Sequence, residues 1–147
     1  MSAAPRILVL DPFPEVLGSV YMHWTELGHR VEITTSLARA LSMVVRGRYT
    51  VVFLPVRSPA FELPMLFDGV VFARTVLSMN QNYRGRFFFY VPLESGLERE
   101  LENVPDGADY ILVGPDRPEE ELREDADRGL RATVERAMEI RRAARKK

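Results

Sequence analysis

The stretch that most constrains the fold of this chain is YTVVFLPVRSP, residues 49–59. Residues 51–54 are a continuous apolar run, which is typical of a strand buried on both faces of a parallel sheet. The run ends at Pro55. Ligands and catalytic groups gather at the carboxyl ends of such strands, so the residue at position 55 should be central to any chemistry. A proline side chain has no donor, acceptor or nucleophile. The stretch therefore predicts a central strand and indicates that a reaction has been lost at its end.

The residue types exclude several kinds of site. The chain of 147 residues has no cysteine and only two histidines, His23 and His29. Disulfides, thiol catalysis, thiolate metal sites and a histidine-rich zinc site are therefore excluded, and we expect neither a metal nor a cofactor. The formal net charge of -1 argues neither for nor against a nucleic-acid partner.

No segment predicts insertion into a membrane. Residues 1–5 are too short for a signal peptide, and no apolar run approaches the roughly 18 residues of a membrane span. The length is that of one ordinary domain. We therefore expect a single cytoplasmic domain.

Strands and helices alternate along the chain. The patterns predict strands at residues 6–10, 31–35, 51–54, 86–91 and 109–113, and helices at residues 15–27, 37–47, 68–79, 94–103 and 118–144. The apolar face of the first helix comprises Val16, Leu17, Val20, Tyr21, Trp24 and Leu27. In the third helix, Val70, Val71 and Leu77 are predicted to point inward. Five strands alternating with five helices predict an α/β fold with a doubly wound parallel sheet.

The order of these elements and several short segments resemble the receiver domain of bacterial response regulators, over residues 6–130. The segments are RILVLDPFPEV at the first strand, ELGHRVEI at the second, YTVVFLPVRSP at the third, Asp68-Gly69 at the third helix and GADYILVGP at the fifth strand. The resemblance implies a flavodoxin-like sheet with strand order 2-1-3-4-5. It also implies a phosphotransfer site. A typical receiver accepts a phosphoryl group on an aspartate after the third strand. Its magnesium is held by an acidic pair after the first strand, with a threonine or serine after the fourth and a lysine after the fifth.

The resemblance places other residues at those positions. Asp11 and Pro12 stand for the acidic pair, Pro55 for the acceptor, Val91 or its neighbour Pro92 for the hydroxyl, and Gly114 for the lysine. One carboxylate is a poor magnesium site, and a phosphoryl group would meet neither a nucleophile nor a cation. The resemblance therefore implies a pseudo-receiver that has abandoned phosphotransfer.

Several polar residues could have more than one role. Asp11 could be a lone metal ligand or a catalytic acid, but more often such an aspartate accepts hydrogen bonds from backbone amides at a helix start. Neither His23 nor His29 is assigned a role, because no second ligand stands at helical spacing and no histidine-aspartate pair is visible in the sequence. The basic residues from Arg141 onward suit the negative end of a helix dipole, so a nucleic-acid partner is not expected.

The last helix looks about twice as long as a receiver framework needs. The residues Ala126, Leu130, Thr133, Ala137, Ile140 and Ala144 recur at a coiled-coil spacing, although Gly129 interrupts the helix. We expect the helix to stand out past residue 131 and to pair with a partner or with a second copy as a homodimer. The alternative is that the extension frays. This divides the chain into a receiver-like domain, residues 1–131, and an extension with a basic tail, residues 132–147.

Residues 60–67, AFELPMLF, stand where receivers have only a short link. They are too apolar for a solvated loop, so they either plug the degenerate pocket or form a patch that a partner covers. The candidate partner-binding residues are Phe61, Leu63, Met65, Leu66 and Phe67.

These patterns together predict a non-catalytic, phosphorylation-independent adaptor or regulatory module of bacterial signalling that binds another protein. The alternative is a small-ligand sensor or an enzyme that uses the crevice near Asp11 and Pro55.

Overall fold

The structure is a computed structural model of the chain, and it describes residues 4–47, 49–58, 67–80, 83, 85–92, 104–114 and 117–145. Its strands are β1 (Arg6–Leu10), β2 (Arg30–Thr34), β3 (Val51–Pro55), β4 (Arg57–Ser58), β5 (Phe67–Asp68), β6 (Arg86–Pro92) and β7 (Asp109–Val113). Its helices are α1 (Gly18–Glu26), α2 (Leu37–Arg46), α3 (Gly69–Met79) and α4 (Glu119–Arg145). The predicted helix at residues 94–103 lies outside the described residues.

Five strands form one parallel sheet in the order β2-β1-β3-β6-β7. Counted along the chain within this sheet, the order is 2-1-3-4-5, so the predicted doubly wound, flavodoxin-like fold is confirmed. The strand with the continuous apolar run, β3, is the central one and is fully buried. A separate antiparallel pair joins β4 to β5.

Each face of the sheet packs against its own helices. Val51 and Phe53 of β3 lie in the core under α1 and α4, whereas Val52 and Leu54 lie in the core under α2 and α3. Gly129 explains how α4 comes close to the sheet, because a Cβ there would lie 2.5 Å from the ring of Phe88. The glycine that interrupts the apolar pattern of the last helix is therefore a packing residue.

Two predicted apolar faces are partly wrong. In the first helix, Val16 is 66% exposed and Leu27 is exposed, since α1 begins only at Gly18 and ends at Glu26. In the third helix, Val71 and Leu77 are exposed and the buried side chains are Phe72, Ala73 and Val76. The helix α1 is shorter than predicted, whereas α3 has nearly its predicted bounds and turns a different face, that of Phe72, Ala73 and Val76, toward the core.

The last helix does not leave the domain at residue 131, so that prediction is wrong. Thr133 and Ala137 are buried within the single chain. The Thr133 hydroxyl donates to the Asp109 carboxylate at 2.9 Å, and the Arg136 guanidinium lies 3.3 Å from the same carboxylate. The predicted seam is therefore held within its own chain, since Ala126 and Leu130 lie in the core, Thr133 bonds to β7 and Ala137 is buried.

A search of the described residues for a membrane-spanning helix finds none that is long and apolar enough.

Candidate functional site

The positions at which the resemblance places a phosphotransfer site meet at one edge of the sheet. Asp11 follows β1, Pro55 ends β3, Val91 lies near the end of β6 and Gly114 follows β7. Because the strands are parallel neighbours in this order, their carboxyl ends lie side by side. Val91 is buried on the α2 and α3 side of the sheet, while Asp11 bonds to residues of the opposite face.

Asp11 is the centre of a buried hydrogen-bond cluster. Its side chain is 2% exposed. Its Oδ2 accepts a hydrogen bond from the Tyr21 hydroxyl of α1 at 2.6 Å, and its Oδ1 accepts one from the Tyr90 hydroxyl of β6 at 3.0 Å. The backbone N–H of Phe13 also donates to Oδ1, at 2.9 Å. Both carboxylate oxygens are thus occupied by donors of the chain itself.

Both tyrosines act as neutral donors in this cluster. Burial is the main cause that raises the pKa of Tyr21, and the negative charge of Asp11 raises it further. Burial and then Asp11 raise the pKa of Tyr90 in the same way. A phenolate beside the carboxylate would place two negative charges in a buried site, so the hydroxyls keep their protons.

The donor set does not suit a magnesium ion. Magnesium prefers near-octahedral oxygen coordination, and the position next to Asp11 is Pro12. Within the described ranges, no group of three or more aspartate, glutamate, histidine or cysteine side chains is placed to hold a metal ion. The chemistry that Asp11 supports here is hydrogen bonding between α1, β6 and the loop after β1.

The end of β3 is closed by the start of α3. Gly69 lies so near Pro55 that a Cβ at Gly69 would be 2.1 Å from the Pro55 carbonyl oxygen. The Gly69 N–H donates to the Val56 carbonyl at 2.9 Å, and the Asp68 carboxylate caps the helix by accepting from the N–H groups of Val70 and Val71. The backbone of α3 therefore lies directly against Pro55, where the resemblance places the acceptor.

The candidate partner-binding segment begins and ends on the β4–β5 pair. Arg57 pairs with Asp68 and Ser58 pairs with Phe67, so residues 59–66 connect two antiparallel strands. Phe61, Leu63, Met65 and Leu66 lie outside the described residues. Phe67 lies in β5. The structure thus places both ends of the segment at the carboxyl edge of the sheet.

Sequence reasoning missed the partners of Asp11. Tyr21 was predicted to be buried and Tyr90 to lie in a strand, but neither was connected to the aspartate. A buried tyrosine hydroxyl needs a hydrogen-bond partner, and this requirement was the available signal.

Sequence reasoning also missed a histidine-aspartate pair that exists in space. The His23 Nε2 lies 2.7 Å from the Asp127 Oδ2. These residues are 104 positions apart, so no local pattern could show the pair.

The two cavities that can be described lie away from Asp11 and Pro55. One, of about 600 Å³, lies between β7 and α4 and is lined by Tyr110, Ile111, Arg117 and Asp125, among others. The other, of about 400 Å³, lies beside α3.

A scan against protein-family models finds no match, and a search of curated proteins also finds none. Solved structures do match. An adenylate cyclase from Rhodopirellula baltica has a TM-score of 0.66 and 12% sequence identity, over 97% of this chain and 96% of that chain. A member of a family of redox sensors in the streptococci, described as evolved from two-component response regulators, has a TM-score of 0.64 and 18% identity over 88% of this chain and 52% of that chain.

The chemotaxis protein CheY4 of Vibrio cholerae has a TM-score of 0.62 and 20% identity, over 89% of this chain and 99% of that chain. Structural matches at such low sequence identity show a shared fold, and a shared fold does not imply shared chemistry. The chain has the fold of a receiver domain.

Proposed function

We propose that this chain is a non-catalytic, phosphorylation-independent signalling module that acts by binding another protein. The observation that carries the proposal is that both oxygens of the Asp11 carboxylate already accept hydrogen bonds, from Tyr21, Tyr90 and a backbone amide. In a working receiver this edge of the sheet takes up a metal ion and a phosphoryl group. Here the corresponding carboxylate accepts hydrogen bonds from donors of the chain itself.

The neighbouring positions support the same conclusion. Pro55 offers no nucleophile and Gly114 offers no cation to neutralise phosphoryl oxygens. Without a phosphorylation input, the equilibrium between two surfaces has nothing to shift it, so the module presents one constitutive surface. The streptococcal redox sensors, described as evolved from response regulators, are a precedent for a receiver fold used in another way.

Acetyl phosphate or beryllofluoride with magnesium tests the loss of phosphotransfer. We expect no added mass and no change in the fluorescence of Trp24, the only tryptophan. The variant Asp11→Asn is the matched control, and it should respond as the wild type does. A stoichiometric phospho-adduct, or a magnesium-dependent fluorescence change that Asp11→Asn removes, would contradict the proposal.

The partner-binding surface is proposed to include Phe61, Leu63, Met65, Leu66 and Phe67. The β4–β5 pair supports this assignment, since it anchors both ends of the apolar segment at one edge of the sheet. Changing Phe61 and Met65 together to serine should abolish capture of the partner while leaving the melting temperature nearly unchanged. Changing the exposed Met22 and Met79 to serine is a matched control for loss of exposed apolar side chains. A large fall in melting temperature with capture intact would instead assign the segment to the core.

A sensor or enzyme at the crevice near Asp11 and Pro55 is the alternative function. A thermal-shift screen of metabolites and nucleotides distinguishes it, since a ligand at 100 times its dissociation constant adds about 2.7 kcal/mol to stability. ATP belongs in that screen because one structural neighbour is an adenylate cyclase. An adaptor should give no shift.

Two further partners are weighed against the protein partner. A nucleic acid would have to bind the basic residues from Arg141 onward, which have no interleaved aromatic side chains to stack on bases. A salt-dependent shift of DNA mobility would reveal such binding. A homodimer through α4 would have to use the helix beyond Ala137, because the earlier seam residues are buried within the chain itself.

A further inference from the structure

A cavity of about 400 Å³ runs along α3, apart from the cluster around Asp11. Apolar side chains from three elements line it: Ala73 and Leu77 of α3, Phe87 and Phe89 of β6, and Ile140 of α4. Its volume lies within the range of roughly 300–1,000 Å³ that is typical of small-molecule sites. The cavity is therefore large enough to take a small ligand with an apolar body.

Two of the apolar lining residues are not explained by the packing of the domain alone. Leu77 is 47% exposed, although the sequence pattern predicts an inward position. Ile140 lies in the part of α4 that continues past residue 131, and it is half-buried. A single exposed apolar side chain needs no explanation, but these two line the same cavity. A ligand with an apolar body would cover both.

The charged residues that line the cavity are Arg74, Arg86 and Asp106. Two positive charges and one negative charge leave one net positive charge. In the part of the chain that the structure describes, none of these three side chains has an ion pair or a hydrogen-bond partner. An unpaired guanidinium favours a carboxylate, which it can bind through two parallel hydrogen bonds. The charges therefore favour an anionic group on the ligand.

The larger cavity, between β7 and α4, does not offer unpaired cations. Its Arg117 forms ion pairs with Glu121 and Asp125. Its Arg128 also pairs with Asp125. Both arginines are thus engaged by carboxylates of the chain itself. The cavity along α3 is therefore the better site for an anion.

We propose that the cavity along α3 binds an amphipathic monocarboxylate, a molecule such as a medium-chain fatty acid that has an apolar chain and one carboxylate. The apolar chain packs against Leu77, Phe89 and Ile140, and the carboxylate pairs with the arginines of the cavity. Binding there requires neither Asp11 nor a phosphoryl group. The site therefore goes beyond the proposed adaptor function and does not rest on it.

A series of ligands tests the proposal on the wild-type full chain, by isothermal titration calorimetry below the critical micelle concentration. We expect decanoate to bind with one-to-one stoichiometry. Octanoate should bind roughly tenfold more weakly, because each buried methylene changes the dissociation constant about fourfold. Decanol and decyltrimethylammonium keep the chain but lack the anion, so each should bind at least about tenfold more weakly than decanoate.

Substitutions on the cavity wall locate the binding site. Leu77→Gln should weaken decanoate binding roughly tenfold, because the ligand then covers a polar amide. Met79→Gln is the matched control, since Met79 is an exposed apolar residue of the same helix that does not line the cavity. It should leave the dissociation constant unchanged.

Substitutions of the arginines test the carboxylate contact. Arg74→Gln combined with Arg86→Gln should weaken decanoate binding at least about tenfold and leave decanol binding unchanged. Arg39→Gln combined with Arg46→Gln, at two exposed arginines of α2, should change neither. The ligand series needs only the wild type, so it decides the proposal even where a variant fails to fold.

Several results would overturn the proposal. These are no binding of decanoate, binding of decyltrimethylammonium as tight as that of decanoate, and decanoate binding that Asp11→Asn removes but Leu77→Gln does not. The last result would place the ligand in the crevice near Asp11. Vesicles of an anionic phospholipid distinguish a free acid from a membrane surface. We expect the chain not to sediment with them, and sedimentation without decanoate binding would overturn the proposal.

Discussion

Replacing Asp11 with alanine isolates the contribution of the buried cluster to stability. The substitution removes the acceptor of two hydroxyls whose residues, Tyr21 and Tyr90, are 2% and 8% exposed. A buried donor left without an acceptor costs roughly 1–3 kcal/mol, so the two hydroxyls together predict a loss of about 2–6 kcal/mol. For a domain of this size each kcal/mol lowers the melting temperature by about 2–4 °C. We therefore expect Asp11→Ala to melt at least roughly 4 °C below the wild type.

A triple variant tests whether the loss comes from the hydroxyls. Removing both partners of a buried hydrogen bond can be nearly neutral, because no donor is then left unsatisfied. Asp11→Ala combined with Tyr21→Phe and Tyr90→Phe should therefore be more stable than Asp11→Ala alone. Tyr110→Phe, at an exposed tyrosine, controls for loss of a hydroxyl as such.

The assay is chemical denaturation followed by Trp24 emission, with circular dichroism as a second probe of two-state unfolding. A triple variant no more stable than Asp11→Ala would refute the assignment of the loss to the tyrosine hydroxyls. An increase in stability in Asp11→Ala would refute it more strongly. That result would mean that the carboxylate is kept at the expense of stability, as functional groups often are.

Three further predictions follow from the packing. Gly69→Ala should lower the melting temperature strongly, because its Cβ would lie 2.1 Å from the Pro55 carbonyl oxygen. Gly18→Ala is the control: its Cβ would have nothing within 4 Å, so it should raise stability by up to about 1 kcal/mol. Equal effects of the two substitutions would contradict the contact. Burial raises the pKa of Tyr49 to about 12 and also raises the pKa values of Tyr21, Tyr83 and Tyr90. Because tyrosines of the unfolded chain ionise first, the stability of the fold should fall above about pH 10. Phenolate absorbance from these four tyrosines below that pH would contradict the prediction. A chain that ends at Leu130 loses the buried Thr133 and Ala137 and should melt several degrees lower, while an unchanged melting temperature would support a division into residues 1–131 and 132–147.

The features that depend on residues close together in the sequence were predicted correctly. Serine is a residue type favoured just before a helix, and the Ser36 hydroxyl caps α2 by accepting from the Arg39 N–H at 3.2 Å. The run at residues 51–54 predicted the central strand, because a strand covered on both faces needs no polar alternation. The inner faces of α1 and α3 were predicted less well, since contacts with strands distant in the sequence decide which face of a helix packs on the sheet.

The candidate site depended on contacts that no local pattern contains. Sequence reasoning found that Asp11 stands alone, yet it placed its partners in backbone amides, of which the structure has one, from Phe13. The tyrosine donors come from α1 and from β6, the latter 79 positions away. The length of α4 suggested a free extension, but Asp109, at the start of β7, bonds to Thr133 and holds the helix on the sheet.

Restoring the acceptor alone should not restore phosphotransfer. Pro55→Asp supplies a carboxylate at the end of β3, but Gly69 presses its backbone against that residue and Asp11 remains bonded to Tyr21 and Tyr90. A phosphoryl group would then lack both a metal ion and space. We expect Pro55→Asp to take no phosphoryl group from acetyl phosphate with magnesium, as judged by intact mass. Adding Pro12→Asp, Tyr21→Phe and Tyr90→Phe frees Asp11 and supplies a second carboxylate, so magnesium should bind that variant more tightly than it binds Pro55→Asp. Stoichiometric phosphorylation of Pro55→Asp by itself would show that the proline, and not the closed cluster around Asp11, is what separates this chain from a working receiver.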